Sequence, residues 1–403
     1  MELEQQKVQQ QNKAFIVFIL GTLAAFAPLS IDMYLPAFPI LTNEFHTSAS
    51  MIQLSLTFFL LGASLGQLFT GPLSDVFGRR KPLLIGLSIY AVTSLLCVFT
   101  DSIELFILLR LIQGLAGSAG MVISRATIVR DLYSGKEMTK FFSLLALVNG
   151  MAPILAPIIG AQLLKFFPWQ AVFITLTIIG AVIFAFVLWG LKETLPVEER
   201  SQGGFLQTLN TFRQLLTNLH FMGYVLSFGF VAAAMFAYIS GSSFVIQYVY
   251  GASADTFSIV FAINGIGIVI ASQVTGKLSE SIEEKTLLLA GVFMSFTGGL
   301  SLLLLILLRV ELMFILPSLF LTVSSVGVVN TTSFSLALQN NRNIAGSASA
   351  LLGVMSLLVG AIVAPLVGVA GEDTAVPMGI VICISSFGAV LSYFFLVRSR
   401  KLA

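Results

Sequence analysis

Charged residues are scarce in this sequence: Asp, Glu, Lys and Arg together make up 10% of its 403 residues. A soluble domain has about 25%. Hydrophobic residues make up 57% of the chain, and the mean hydropathy is +0.97. So few charges cannot cover a soluble surface. The composition therefore excludes an ordinary soluble protein and predicts an integral membrane protein.

Cysteine and histidine are also rare, with 2 residues of each type. Cys97 and Cys383 lie inside apolar runs, where a structural disulfide is not expected. His46 and His220 lie near the ends of such runs, without the spacing of metal ligands. The sequence also has no His–carboxylate cluster, nucleophile motif, cofactor fingerprint or ATP-binding loop. We therefore predict that the protein has no metal or cofactor and is not an enzyme.

The apolar runs predict transmembrane helices. Backbone polar groups in a bilayer must be satisfied within the protein, which leaves helices or closed barrels. The runs are near 20 residues long and lack the alternation of barrel strands, so helices are favoured. The predicted fold is an all-α membrane protein with twelve spans. Their limits are 14–38, 50–71, 82–100, 103–124, 138–164, 168–191, 219–241, 254–276, 286–308, 311–334, 344–368 and 374–397.

A polar stretch divides the spans into two sets of six. It predicts a cytoplasmic linker at 192–218, partly helical, between six-helix bundles at 1–191 and 219–403. Two short sequences recur between the bundles at nearly the same offset. Gly71-Pro-Leu-Ser-Asp75 returns as Gly276-Lys-Leu-Ser-Glu280, and Ala156-Pro-Ile-Ile-Gly160 returns as Ala364-Pro-Leu-Val-Gly368. These matches predict a duplicated, pseudo-symmetric protein that binds its substrate between the two halves.

The distribution of basic residues predicts the orientation. If the N-terminus is cytoplasmic, nearly all of the 21 Lys and Arg residues lie on the cytoplasmic side. The exceptions are Lys165 and Arg309, which lie on the external side, and Arg110, which lies within the membrane. By the positive-inside rule, both termini are predicted to be cytoplasmic, in a bacterial inner or plasma membrane. Because insertion explains the basic residues, we predict no nucleic-acid partner.

Two charged residues lie inside the predicted spans. Asp32 is in span 1 and Arg110 is in span 4, at similar depths by the helix rise of 1.5 Å per residue. A charge near the bilayer centre costs roughly 2.5 to 3.5 kcal/mol on insertion scales, so such residues usually mark an ion or substrate pathway. One acid and one base on different helices predict a proton-linked transport site shared by Asp32 and Arg110.

The loop after span 2 carries a gating motif. It reads Gly71-Pro-Leu-Ser-Asp75-Val-Phe-Gly78-Arg79-Arg80-Lys81. We expect Gly71 to permit close helix approach and Gly78 to form a tight turn. Asp75 could cap a neighbouring helix or pair with an Arg, as a latch that breaks when the cytoplasmic side opens. Every fixed position resembles the signature loop of the major facilitator superfamily.

Two further motifs resemble those of the same superfamily. Arg110-Leu-Ile-Gln113-Gly in span 4 is similar to the motif of its proton-coupled members, in which the Arg is implicated in proton transfer. Span 5 contains Gly150, Pro153, Pro157 and Gly160, which resemble an antiporter motif. The match is incomplete, because Ala156 stands where that motif has glycine and Ala161 follows Gly160. The prolines are expected to bend the span and the small residues to pack closely.

The end of span 1 resembles one subfamily. Asp32-Met33-Tyr34-Leu35-Pro36 is similar to a segment of bicyclomycin- and chloramphenicol-resistance-type drug:proton antiporters. The resemblance implies twelve helices in two pseudo-symmetric six-helix bundles. It also implies efflux of small drug-like molecules by alternating access, with Asp32 as the proton site and Arg110 tuning it. The predicted partners are an amphipathic drug, protons and lipid, and we predict a monomer.

The cavity between the halves is expected to be mostly apolar, with a few polar groups. No periodicity isolates a binding face. The candidate lining residues are Asp32, Tyr34, Gln113, Asn149, Tyr238, Gln247 and Asn264.

Other functions are compatible with parts of this pattern. A proton symporter or an exporter of a specific metabolite would have the same fold, and only the family resemblance in spans 1 and 5 favours drug efflux. A membrane receptor is disfavoured because it would need neither the repeat nor the intramembrane charges.

Overall fold

The computed structural model describes residues 13–124, 135–200, 204–339, 341 and 344–398. Twelve long helices within these ranges follow the predicted spans in order. They are α1 Lys13–Asp32, α2 Ala49–Phe77, α3 Arg80–Val98, α4 Ile103–Val122, α5 Gly135–Phe166, α6 Gln170–Gly190, α7 Leu219–Phe244, α8 Ala254–Leu278, α9 Glu284–Leu307, α10 Leu312–Gln339, α11 Ala345–Val363 and α12 Val376–Ser392. Eleven are apolar and long enough to cross a membrane, and α5 has a shorter apolar part at Gly150–Phe166. The predicted all-α membrane fold is confirmed.

Several helices continue in a different helical form or are followed by a short helix. After α1 come a 3-10 turn, Leu35–Ala37, and the helix Phe38–Glu44. A π-helical turn, Val245–Val249, extends α7, and a 3-10 turn, Ala364–Gly368, extends α11. The linker contains an amphipathic helix, Gly204–Thr217, as predicted for a partly helical segment.

The helix contacts repeat between the two halves. In the first half α1 packs on α5, α2 on α4, and α3 on both α4 and α6. In the second half α7 packs on α11, α8 on α10, and α9 on both α10 and α12. Each of these contacts in the first half thus has its counterpart six helices later. The halves meet where α2 packs on α11 and α5 packs on α8, which is also a symmetric pair.

The halves share one hydrophobic core on one side of the bundle and have separate cores on the other. We call the side where α1 and α7 begin the terminal side, and the opposite side the far side. The far-side core includes Phe38 and Leu56 from the first half and Phe244 and Val367 from the second. On the terminal side, one core belongs to the first half, and another belongs to the second half with the linker helix. The halves are therefore joined most closely on the far side.

Candidate functional site

Helix α1 breaks directly after Asp32. Pro36 has no N–H, so the Asp32 carbonyl cannot receive the ordinary hydrogen bond from four residues ahead. The chain turns at Met33 and Tyr34 and continues as the 3-10 turn Leu35–Ala37. Asp32 therefore lies at the C-terminal end of α1, where the helix dipole disfavours additional negative charge.

Asp32 lines a cavity of about 350 Å³ between the two halves. Both bundles contribute to its wall, which is mostly apolar and includes Phe228, Phe236 and Met235. The polar side chains in the wall are Asp32, Gln67, Tyr238, Asn264, Asn330 and Ser356. Gln67, Asn330 and Phe228 lie on the terminal-side halves of their helices. The cavity therefore extends from Asp32 toward the terminal side.

The Asp32 carboxyl group is enclosed, and no described residue supplies it with a counter-charge. Its exposed fraction is 4%, and it is the only buried acidic side chain among those described. Its Oδ1 atom has no hydrogen-bond partner in the described part of the chain. An uncompensated buried carboxylate is costly, and a carboxylic acid is far less so. This environment suits a carboxyl group whose negative charge is neutralised by a bound proton or cation.

Arg110 is fully buried behind α1. Its Nη2 donates to the Ser30 carbonyl at 2.8 Å, and its Nη1 donates to Gln113 Oε1. The guanidinium carbon lies 4.4 Å from the Tyr34 ring centroid and 4.3 Å from that of Phe59. Two aromatic faces thus enclose the cation, an arrangement worth about 2 kcal/mol or more per ring when water is excluded.

A chain of hydrogen bonds connects Arg110 to α3 and back to α1. Gln113 Nε2 donates to Ser94 Oγ at 2.6 Å, and Ser94 Oγ donates to the Tyr90 carbonyl at 2.7 Å. The Tyr90 hydroxyl lies 2.5 Å from Ser30 Oγ. Sequence reasoning missed Tyr90 and Ser94 as site residues. Their spacing of four in an apolar span places them on one helix face and was the available signal.

The structure does not place Arg110 in the cavity that Asp32 lines, although the sequence predicted a site shared by the two residues. No ion pair joins them in the described residues, and Arg110 is not in the cavity wall. Arg110 binds the Ser30 carbonyl, whereas Asp32 is two residues further along α1 and so is turned by about 200° around the helix axis. Residues at similar depth can therefore face opposite sides of one helix.

Two of the other predicted cavity residues, Tyr238 and Asn264, line the cavity. Asn264 Nδ2 donates to the Tyr238 hydroxyl at 2.9 Å. Three do not line it, because their polar groups are engaged elsewhere: Tyr34 with Ser55, Gln113 with Arg110, and Gln247 with the Pro36 carbonyl. The side chain of Asn149 lies outside the described residues.

The gating motif forms the turn between α2 and α3. Gly78 has φ +86°, which only glycine adopts readily. Arg79 Nη1 donates to Asp75 in the same motif and to Ser74 Oγ, while the Arg80 guanidinium donates to the Leu188 carbonyl on α6. The reason given for Gly71 was wrong. No atom lies within 4 Å of the place a Cβ would occupy there, so Gly71 permits no close contact in this structure.

Glu193 secures the motif and was not foreseen. Its carboxylate accepts hydrogen bonds from the backbone N–H groups of Arg79, at 2.8 Å, and Arg80, at 3.2 Å. It also accepts from the N–H groups of Thr194 and Leu195. A carboxylate at the N-terminus of α3 interacts favourably with the helix dipole. Glu193 thus ties the end of α6 to the start of α3.

We expect Glu193→Ala to lower the thermal unfolding midpoint of the purified protein. The loss should be about 1 to 2 kcal/mol, because hydrogen bonds to a charged group are lost at a half-buried site. Glu198→Ala is the matched control, since Glu198 is an exposed carboxylate five residues away. Equal midpoints for the two variants would contradict the role assigned to Glu193.

The antiporter-type motif on α5 faces both α1 and the second half. Pro153 lines the cavity, and the Pro157 carbonyl accepts a hydrogen bond from Ser258 of α8 at 3.0 Å. A Cβ at Gly150 would lie 3.2 Å from Val269 of α8. A Cβ at Gly160 would overlap the Met33 carbonyl in the break of α1. These residues therefore set how closely α5 approaches its two neighbours.

Gly160→Ala should destabilise the protein by about 1 to 3 kcal/mol, because the added methyl group must displace the backbone at Met33. Gly276→Ala is the control. Gly276 is also inside a helix, but nothing lies within 4 Å of its Cβ position. There the substitution should leave the unfolding midpoint unchanged or raise it. A matching midpoint for the two variants would show that the contact at Met33 is not tight.

Polar contacts join the halves on the far side. Lys165 and Asp255 form an ion pair at 2.7 Å, and Gln162 donates to the same carboxylate at 3.2 Å. Gln53 of α2 donates to the Ser240 carbonyl of α7 at 3.2 Å. Together with the shared core, these contacts close the far side above Asp32.

Comparisons with known proteins agree with this architecture. Residues 20–365 match the family described as the Major Facilitator Superfamily. The MFS-type transporter YdgK of Bacillus subtilis (strain 168) is 43% identical over 392 residues, 97% of each chain. A bicyclomycin resistance protein homolog from Haemophilus influenzae is 32% identical, covering 98% of this chain and 99% of its own. A chloramphenicol resistance protein from Pseudomonas aeruginosa is 30% identical over 94% of this chain and 89% of its own.

Solved structures show the same fold. The nucleoside transporter NupG superposes with a TM-score of 0.76 at 14% identity, covering 96% of this chain and 99% of its own. The E. coli xylose transporter XylE, in a partially occluded inward-open conformation, superposes with a TM-score of 0.71 at 14% identity. It covers 95% of this chain and 97% of its own. At this identity the likeness describes the fold alone.

Proposed function

Because the chain belongs to the major facilitator superfamily and is a multi-pass membrane transporter, we propose that it exports small drug-like molecules in exchange for protons. The relatives named for bicyclomycin and chloramphenicol resistance support efflux of drugs. The single observation that carries the proposal is the position of Asp32. An acidic side chain that pairs with no basic group of the described residues lies in the wall of a cavity between the two halves.

In this proposal Asp32 carries the proton. The acid is neutral when protonated and tolerates the apolar cavity, whereas the carboxylate requires a new partner. Substrate arriving from one side favours proton release, and a proton arriving from the other side displaces substrate. The pH gradient supplies about 1.36 kcal/mol per unit for each proton exchanged. Arg110 acts indirectly: it binds the Ser30 carbonyl and so holds the end of α1 next to the break.

The described conformation is the one that accepts substrate from the cytoplasm. Polar contacts and a shared core close the far side, while the cavity extends toward the terminal side. The distribution of Lys and Arg supports a cytoplasmic location for the terminal side and for both termini. We retain the predicted bundles at 1–191 and 219–403, the linker at 192–218, a bacterial inner or plasma membrane, and a monomer.

The cavity favours an amphipathic substrate. Aromatic and methionine side chains such as Phe236, Phe261 and Met235 offer adaptable apolar contacts. Tyr238, Asn264 and Asn330 offer a few hydrogen-bonding groups at fixed places. A mostly apolar pocket with a few polar groups is typical of small-molecule sites.

Proton release from the purified protein tests this function. The protein in detergent and weak buffer is mixed with chloramphenicol, and the pH of the solution is recorded. We expect release from the parent protein and none from Asp32→Asn. Release with a metabolite but not with chloramphenicol would instead favour a metabolite exporter. Equal release from the parent and from Asp32→Asn would refute a proton site at Asp32.

A further inference from the structure

Two side chains of the second half bind the backbone of the unwound segment after Asp32. Ser243 Oγ on α7 donates to the Leu35 carbonyl at 2.6 Å. Gln247 Nε2, on the π-helical turn that extends α7, donates to the Pro36 carbonyl at 3.3 Å and to Ser243 Oγ at 2.8 Å. The two donors therefore form one small cluster on adjacent carbonyls.

The break in α1 makes the Leu35 carbonyl available. Pro39 has no N–H and cannot supply the ordinary hydrogen bond to Leu35. The Phe38 N–H reaches this oxygen in the 3-10 turn, and the Ser243 hydroxyl supplies a further donor. Ser243 is fully buried, so water does not compete with it.

These contacts cross between the halves close to the proposed proton site. Leu35 is three residues after Asp32 on the first half, and Ser243 is five residues after Tyr238, which lines the same cavity. A rotation that opens the far side separates α7 from the segment Leu35–Ala37. It must therefore break both hydrogen bonds and free the chain directly next to Asp32.

We infer that Ser243 and Gln247 are positioning residues that hold the segment after Asp32 and keep the far side closed. The role of this contact in transport rests on the proposed function, but the contact itself does not. Losing both donors favours the conformation with the far side open. Two hydrogen bonds of average membrane strength correspond to a shift of roughly fivefold to tenfold in the ratio of open to closed molecules.

The chain provides a matched control at the neighbouring position. Ser242 is also fully buried on α7, but among the described residues its hydroxyl makes no hydrogen bond to the first half. Ser242→Ala removes the same group from the same helix without removing a contact to α1. Ser243→Thr keeps the hydroxyl donor and serves as the conservative variant.

Distances across the far side measure the effect. Spin labels are placed at Asp101→Cys and Glu311→Cys, which are exposed, one in each half, on loops of that side. Cys97 and Cys383 are replaced by Ala in the full chain, which is reconstituted in lipid. Pulsed electron spin resonance then gives the distance distribution. We expect the Ser243→Ala/Gln247→Ala double variant to gain a longer distance, while Ser242→Ala and Ser243→Thr resemble the parent.

Two results would overturn the inference. One is a double variant whose distances equal those of Ser242→Ala. The other is a longer distance that the double variant shares with Ser243→Thr, in which Gln247 is kept, together with a lowered unfolding midpoint. Such a result would indicate a general loosening of the protein. The outcome is separate from that of the proton-release test. Failure of proton release removes the proton site and leaves these distances unaffected.

Discussion

Asp32→Asn should give an inserted, folded protein that cannot accumulate substrate when a pH gradient is imposed. The substitution keeps the size and most of the hydrogen bonding of the side chain but removes its titratable charge. Asp32 is the only buried acidic residue among the described side chains, so none of the other described carboxyl groups is placed to take over its role. The variant should still bind a neutral substrate.

Uphill transport of substrate into proteoliposomes tests this prediction. For one-for-one exchange, a gradient of one pH unit supports a substrate ratio of about tenfold across the membrane. The parent should approach that ratio, and Asp32→Asn should remain near one. Asp101→Asn, an exposed acid in a loop, is the control and should behave as the parent. Accumulation by Asp32→Asn at the parent's rate would show that protons do not pass through Asp32.

The fold could be predicted from the sequence because its signals are local. Each apolar run had the length of a helix, and the paired motifs indicated the duplication that the helix contacts display. The break in α1 was missed, since the run 14–38 was treated as one span. Pro36 and Pro39 carried the signal, because each removes a hydrogen bond from the backbone after Asp32.

The site was harder to predict because it depends on helix rotation and on long-range contacts. The sequence indicates how deep a residue lies along its helix, but it does not indicate the direction in which the side chain points. For this reason Tyr34 and Gln113 were placed in the cavity, although they pack around Arg110 behind α1. Glu193 stands more than one hundred residues from its partners at Arg79 and Arg80. No local pattern marks such a contact.

Arg110→Ala should abolish transport and also lower the thermal unfolding midpoint. The variant loses two hydrogen bonds of a charged donor, to Gln113 and to the Ser30 carbonyl, worth about 1.5 to 3 kcal/mol each. It also leaves a void between the rings of Tyr34 and Phe59. Both losses act on the chain next to Asp32, so we expect the end of α1 to lose its fixed position.

Arg110→Lys separates the charge from the shape of the guanidinium. An ammonium can remain between the two rings, but it lacks the planar fork that reaches Ser30 and Gln113 together. We expect the unfolding midpoint to recover in part while the transport rate stays well below that of the parent. Arg213→Ala, on the exposed face of the linker helix, is the control for loss of a positive charge.

The comparison of the three Arg110 proteins decides between two roles. If Arg110→Lys restores stability but not transport, the fork geometry that holds the Ser30 carbonyl is needed for the transport cycle itself. If stability and transport return in equal measure, Arg110 serves the fold of the first half. Transport by Arg110→Ala at the parent's rate would contradict both roles. The proton site would then depend on the cavity alone, whose wall includes the hydrogen-bonded polar pair Tyr238 and Asn264.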